Sequence, residues 1–74
     1  MKVTRAMLTS LRQNLDYGPL SLGRSTLTMK NLQVILDHQG YFAGLRYRFY
    51  PEFSDQGKFT GWRITERQFG PSEN

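Results

Sequence analysis

The residue types of this 74-residue chain are divided along its length. Eight of the nine leucines and all three methionines lie in residues 1–40, whereas nine of the ten aromatic residues lie in 41–74, Tyr17 being the exception. Leu and Met are good helix formers; aromatic and β-branched side chains suit a pleated surface. This division constrains the fold more than any motif does. It predicts an α+β chain: two amphipathic helices packed on one face of a C-terminal antiparallel β-hairpin.

Periodicity gives the two helices their limits. Met7, Leu8, Leu11 and Leu15 recur at helical spacing after Thr4, a good N-cap residue, and Tyr17-Gly18-Pro19 is a stop signal. The spacing predicts a first helix from Thr4 to Leu15. The second is predicted over 28–39, with Thr28 as N-cap, Leu27 and Leu32 flanking it as a hydrophobic staple, and Gly40 just past its end. Its buried stripe is Met29, Leu32, Ile35 and Leu36. Between the helices, Leu20-Ser21-Leu22 alternates weakly, so residues 19–23 suit either a third strand or an extended connection.

From Tyr41 the period becomes two. Tyr41, Ala43, Leu45, Tyr47 and Phe49 fall on one face of a strand, and Phe42, Gly44, Arg46, Arg48 and Tyr50 on the other, with Pro51 as its stop. Glu52–Gly57 reads as the turn, and Lys58–Phe69 as the returning strand. Pairing Leu45 with Ile64 and Tyr47 with Trp62 gives a continuous apolar face. A shift of one residue would set Leu45 against Arg63 and break that face. The expected core face is therefore Leu45, Tyr47 and Phe49 beside Ile64, Trp62 and Thr60, with room for a bulge at Gly44 or Gly61.

The same register sets Arg46 opposite Arg63 on the outer face, with Arg48 and Arg67 nearby, and like charges directly opposed are unfavourable in a sheet. Phe42, Tyr50 and Phe59 frame the arginines, and Gly44 and Gly61 leave backbone uncovered. The chain carries ten Lys+Arg against six Asp+Glu, a net charge of +4, and the acids Glu52 and Asp55 fall in the turn. Arginine forks recognise phosphate or carboxylate at two points, and exposed aromatic rings offer platforms for bases. The expectation is a nucleic-acid-binding surface made of Arg46, Arg48, Arg63, Arg67, Phe42, Tyr50, Phe59, Gly44 and Gly61. The bland alternative is that these are ordinary strand residues whose stems cover apolar surface. A rival function is a protein–protein interaction module, such as a small inhibitor or adaptor from a mobile element, using the hairpin against an acidic or sheet-bearing partner.

Other classes fit less well. With no cysteine and a single histidine, His38, the chain has no disulfide framework and too few ligands for a usual transition-metal site. His38 suits a helix C-terminus by charge and lacks an orienting acid beyond its neighbour Asp37. No glycine-rich phosphate loop is present, so no catalytic residue, metal or cofactor is expected. Gly40–Tyr47 shares the flavour of an RNA-recognition signature but not its order. The interval 17–27 is too long for a helix-turn-helix, although Arg5, Thr9, Arg12 and Gln13 are base-reading types. No run approaches the roughly 20 apolar residues of a membrane span, and no signal-peptide pattern is seen, so a cytoplasmic protein without membrane partners is expected. Residues 1–69 read as one domain and 70–74 as a flexible tail. Open strand edges favour a homodimer, or a third strand from residues 19–23.

Overall fold

A computed structural model of the chain describes residues 1–15, 27–44 and 46–67. It contains helices α1 (Arg5–Asn14) and α2 (Met29–Gln39), followed by strands β1 (Phe42–Ala43), β2 (Tyr47–Phe53) and β3 (Phe59–Glu66). The strands form an antiparallel sheet in the order β1-β2-β3. The α+β class is as the composition predicts. The expected helix stop at 17–19, the segment 19–23, Leu45, Phe69 and the tail 70–74 lie outside the described residues.

Both helices begin where a threonine satisfies an otherwise unpaired backbone N–H. The Thr4 hydroxyl accepts from the Met7 N–H at 3.3 Å, and that of Thr28 accepts from the Asn31 N–H at 3.1 Å. Helix α2 closes on Gly40, which takes the left-handed conformation (φ +86°) and donates its N–H to the Leu36 carbonyl at 2.9 Å. The helical stripes face inward. Met7, Leu8, Leu11 and Leu15 are buried; of the α2 stripe Leu32 and Leu36 are buried and Met29 and Ile35 half-buried, and Leu27, ahead of the cap, is buried too.

Polar side chains tie these segments together. Gln33 accepts from the Val3 N–H at 2.8 Å and donates to the Met1 carbonyl at 2.8 Å, holding the N-terminal residues against α2 and keeping Val3 buried. Arg12 donates to the Leu27 carbonyl at 2.7 Å. That bond joins α1 to the residue before the α2 cap and engages one guanidinium N–H of Arg12.

The β half departs from the sequence reading in three respects. First, residues 41–50 are not one strand. The chain reverses where Gly44 donates to the Tyr47 carbonyl at 2.8 Å, so Phe42 pairs with Phe49 and Ala43 with Arg48. The third strand of the sheet is thus β1. Second, β2 continues through Pro51 to Phe53. Antiparallel neighbours alternate between hydrogen-bonded and non-bonded pairs. Because Arg67 donates to the Arg46 carbonyl at 2.7 Å, the alternation makes Pro51 opposite Trp62 a non-bonded pair. Its nitrogen is directed to the β1 side, beyond Phe42, the first residue of that strand, so the missing N–H costs no ladder bond. The turn shrinks to Ser54–Lys58, closed by the Ser54 N–H on the Lys58 carbonyl at 2.8 Å.

Third, the register differs by four residues. Phe49 opposes Ile64, Pro51 opposes Trp62, and Tyr47 opposes Glu66. A bulge between Glu52 and Phe53 then sets Phe53 against Phe59. On β3, next to this irregularity, Gly61 has φ +150°, where an L side chain is strained. The break in alternation brings Phe59 onto the same side as Trp62, with ring centroids 5.3 Å apart.

The buried cluster comprises Val3, the helical leucines, Met7 and Leu27, with Phe49 its sole member from the sheet; Met29, Phe42, Phe59 and Trp62 pack against it. The expected core face is therefore corrected. Tyr47 and Ile64 are exposed (42% and 44%), and Trp62 is half-buried. Phe49→Ala should cost about 3–5 kcal/mol, the usual range for truncating a buried phenylalanine. Tyr47→Ala should fall within about 0.5–1 kcal/mol of the parent. Denaturant midpoints for the two variants check this; equal losses would show that Phe49 is not the sheet's anchor.

Candidate anion-binding face of the sheet

Burial of Phe49 decides which side chains the sheet presents outward, because successive residues of a strand point to opposite faces. Arg48, Tyr50 and Glu52 share the face of β2 away from Phe49. Opposite them on β3 are Thr65, Arg63 and Gly61. Ala43 lies beside Arg48 on β1, and the β1 register carried back places Tyr41 beside Tyr50. None of these residues belongs to the buried cluster.

Side-chain geometry joins them in a row. The Arg48 guanidinium lies 5.5 Å from the Tyr41 ring centroid, the Tyr41 and Tyr50 rings are 5.1 Å apart with planes tilted by 38°, and the Arg63 guanidinium lies 4.3 Å from the Tyr50 centroid. The Arg63 Nε is also 4.0 Å from a Glu52 carboxylate oxygen, with both side chains more than half exposed. An exposed pair at that distance contributes at most about 1 kcal/mol. These cation–π contacts set each guanidinium beside a tyrosine ring, at 5.5 Å for Arg48 and 4.3 Å for Arg63. Arg48 and Arg63 stand on a diagonal of the β2–β3 ladder, a backbone spacing of roughly 7–8 Å.

The residues expected at this surface divide into three groups. Arg48, Arg63 and Tyr50 are brought together on the outer face. Arg46 and Arg67 occupy the end of the same face, opposite each other through the Arg67 N–H to Arg46 carbonyl bond of 2.7 Å. Arg46 was expected to oppose Arg63; the four-residue difference in register sets Tyr50 against Arg63 instead. Arg46 is exposed, whereas Arg67 is half-buried and spends one guanidinium N–H on the Gly44 carbonyl at 2.7 Å.

Phe42, Phe59 and Gly44 do not belong to the face. Phe42 lies edge-on to Phe49 at 6.2 Å, and Phe59 packs on Trp62. The reversal at Gly44 turns Phe42 to the core side, and the bulge does the same for Phe59. Gly44 is buried and already engaged through its N–H and carbonyl. Gly61 does lie on the outer face with open space above it: an added Cβ would meet nothing within 4 Å.

Tyr41, Glu52 and Thr65 also lie on this face. An unbroken strand over 41–50 would put Tyr41 on the core side, and a strand stop at Pro51 would leave Glu52 in the turn; the reversal at Gly44 and the continuation of β2 bring both here. Thr65, opposite Arg48, carries no signal of its own in the sequence. Among the described residues, no group of three or more His, Cys, Asp or Glu is placed to hold a metal ion, and no helix is long and apolar enough to cross a membrane. His38 is exposed in the last turn of α2.

No family model, no curated protein and no solved structure matches this chain. The Arg63–Tyr50 contact is directly measurable. A double-mutant cycle with Arg63→Ala and Tyr50→Leu should return a coupling of about 0.5–1 kcal/mol. No measurable coupling would show that the guanidinium does not rest on the ring in solution.

Proposed function

We propose that this chain is a non-enzymatic nucleic-acid-binding module, regulatory in role, that holds single-stranded substrates on the outer face of its sheet. In this reading α1 and α2 support the opposite face. Arg48, Arg63 and Arg46 contact phosphates, and Tyr41 and Tyr50 supply aromatic surface. The observation that carries the reading is the row Arg48–Tyr41–Tyr50–Arg63. Guanidinium groups are pre-oriented there on rings, on a face that contributes nothing to the buried cluster.

The physical case is one of geometry and charge. Planar guanidinium groups reach phosphate by two-point hydrogen bonding and lose less freedom on binding when a ring already restrains them. A diagonal pair tracks a backbone without setting two cations directly opposite each other. Neighbouring tyrosines give sequence-tolerant contact with bases. Glu52 opposes this attraction from one end of the row, where its carboxylate competes for Arg63.

Binding to single-stranded oligonucleotides should weaken linearly in log–log form as salt rises. Arg48→Ala and Arg63→Ala should each lower the slope by about 0.7, the value for one released phosphate contact on a single strand. Glu52→Gln should strengthen binding. Phe42→Leu and Phe59→Leu, on the core side, should leave the slope unchanged. Absence of binding at low salt would overturn the reading. Retention of an acidic polypeptide such as polyglutamate in its place would move the face to a protein partner.

A further inference from the structure

Strand β3 lies at the edge of the sheet, and its outer side pairs with no other strand among the described residues. The alternation that makes Arg67 opposite Arg46 a bonded pair also makes Thr65 with Arg48 and Arg63 with Tyr50 bonded pairs. The backbone N–H and C=O groups of Trp62, Ile64 and Glu66 are therefore directed away from β2. Such an edge is a template for another strand. Along Gly61–Glu66 it has no proline and no lysine; its charged residues are Arg63 and Glu66, and its regular stretch begins after the bulge opposite Glu52 and Phe53. Its central residue, Ile64, is an exposed aliphatic side chain, 44% accessible.

We propose that a second copy of this chain occupies the edge, β3 pairing antiparallel with β3 across a two-fold axis at Ile64. Charge selects the occupant's register. Centred on Ile64, the pairing sets Arg63 against the partner's Thr65 and Trp62 against the partner's Glu66, with the two Ile64 side chains meeting at the axis. Centred on Arg63, it would oppose two guanidinium groups. Centred on Thr65, it would oppose Arg63 to the partner's Arg67. Centred on Glu66, it would oppose two carboxylates; centred on Trp62, it would run across the bulge. Like charges directly opposed are destabilising, so one register uses the whole regular stretch without such a pair. A two-fold axis perpendicular to the sheet leaves both outer faces on the same side. The row Arg48–Tyr41–Tyr50–Arg63 would then recur across one continuous sheet. The pairing stands independently of what that face binds.

The test is the solution mass of the intact chain, by light scattering on a size-exclusion column without nucleic acid. The parent should elute at about twice its 8.6 kDa mass. Ile64→Pro removes an outward N–H and no bond to β2, so it should halve the mass while retaining the far-ultraviolet spectrum. Ile64→Lys, which sets two ammonium groups together at the axis, should do the same and covers the case in which the proline variant fails to fold. A parent that remains monomeric at high concentration would overturn the proposal. So would a dimer that survives both Ile64→Pro and Ile64→Lys.

Discussion

Phe49 is where the two halves of this molecule meet. It is the one sheet residue within a buried cluster otherwise supplied by the helices and the segments flanking them. Pleating then leaves no freedom: with Phe49 inward, Arg48 and Tyr50 must point outward, and their partners on β3 follow. Phe42 packs edge-on against Phe49, and Phe59 and Trp62 extend the aromatic layer along the same side. The orientation of every side chain in the candidate face thus depends on one buried ring. The proposed binding face is a consequence of core packing as much as of its own residues.

The face is also held together locally. Two arginines rest on two neighbouring tyrosines, and a carboxylate ends the row beside Arg63. In water each of these contacts is weak. Together they restrain long side chains that would otherwise sample many rotamers, and that restraint is what a ligand would exploit. The net charge of +4 matters here through its placement: Arg48 and Arg63 share the outer face of the hairpin, and Arg46 and Arg67 are joined at its end by a backbone hydrogen bond.

The helices and their ends were legible in the sequence. Thr4, Thr28 and Gly40 are local signals that act within one turn, and the stripes Met7–Leu15 and Leu32–Leu36 repeat at 3.6 residues. The outer-face arginines were legible for a subtler reason. Between the expected pairing of Leu45 with Ile64 and the actual pairing of Phe49 with Ile64 lies a slip of four residues. An even slip preserves which side chains share a face, whereas an odd one exchanges them. Arg48 and Arg63 therefore stayed on one face while their neighbours changed. Tyr41 and Phe42 face the other way from what simple alternation implies, because a two-residue strand and a tight reversal look, in one dimension, like the start of a longer strand. Phe59 was misplaced because a bulge changes the parity of everything beyond it.

Legible without the fold are the α+β class, the helix caps, most of the helical stripes and the parity that keeps Arg48 and Arg63 on a common face. These are set by interactions between residues close in the chain, or by strict alternation. Pairing in three dimensions makes β1 a strand of the sheet, carries β2 through Pro51 and brings Tyr41 to Tyr50. Only there does β3 emerge with Trp62, Ile64 and Glu66 directed to an edge that no other strand among the described residues pairs with. The physical reason is that strand pairing joins residues distant in sequence through backbone groups that every residue carries, so composition leaves the register nearly degenerate. The packing of Phe49 and the reversal at Gly44 remove that degeneracy.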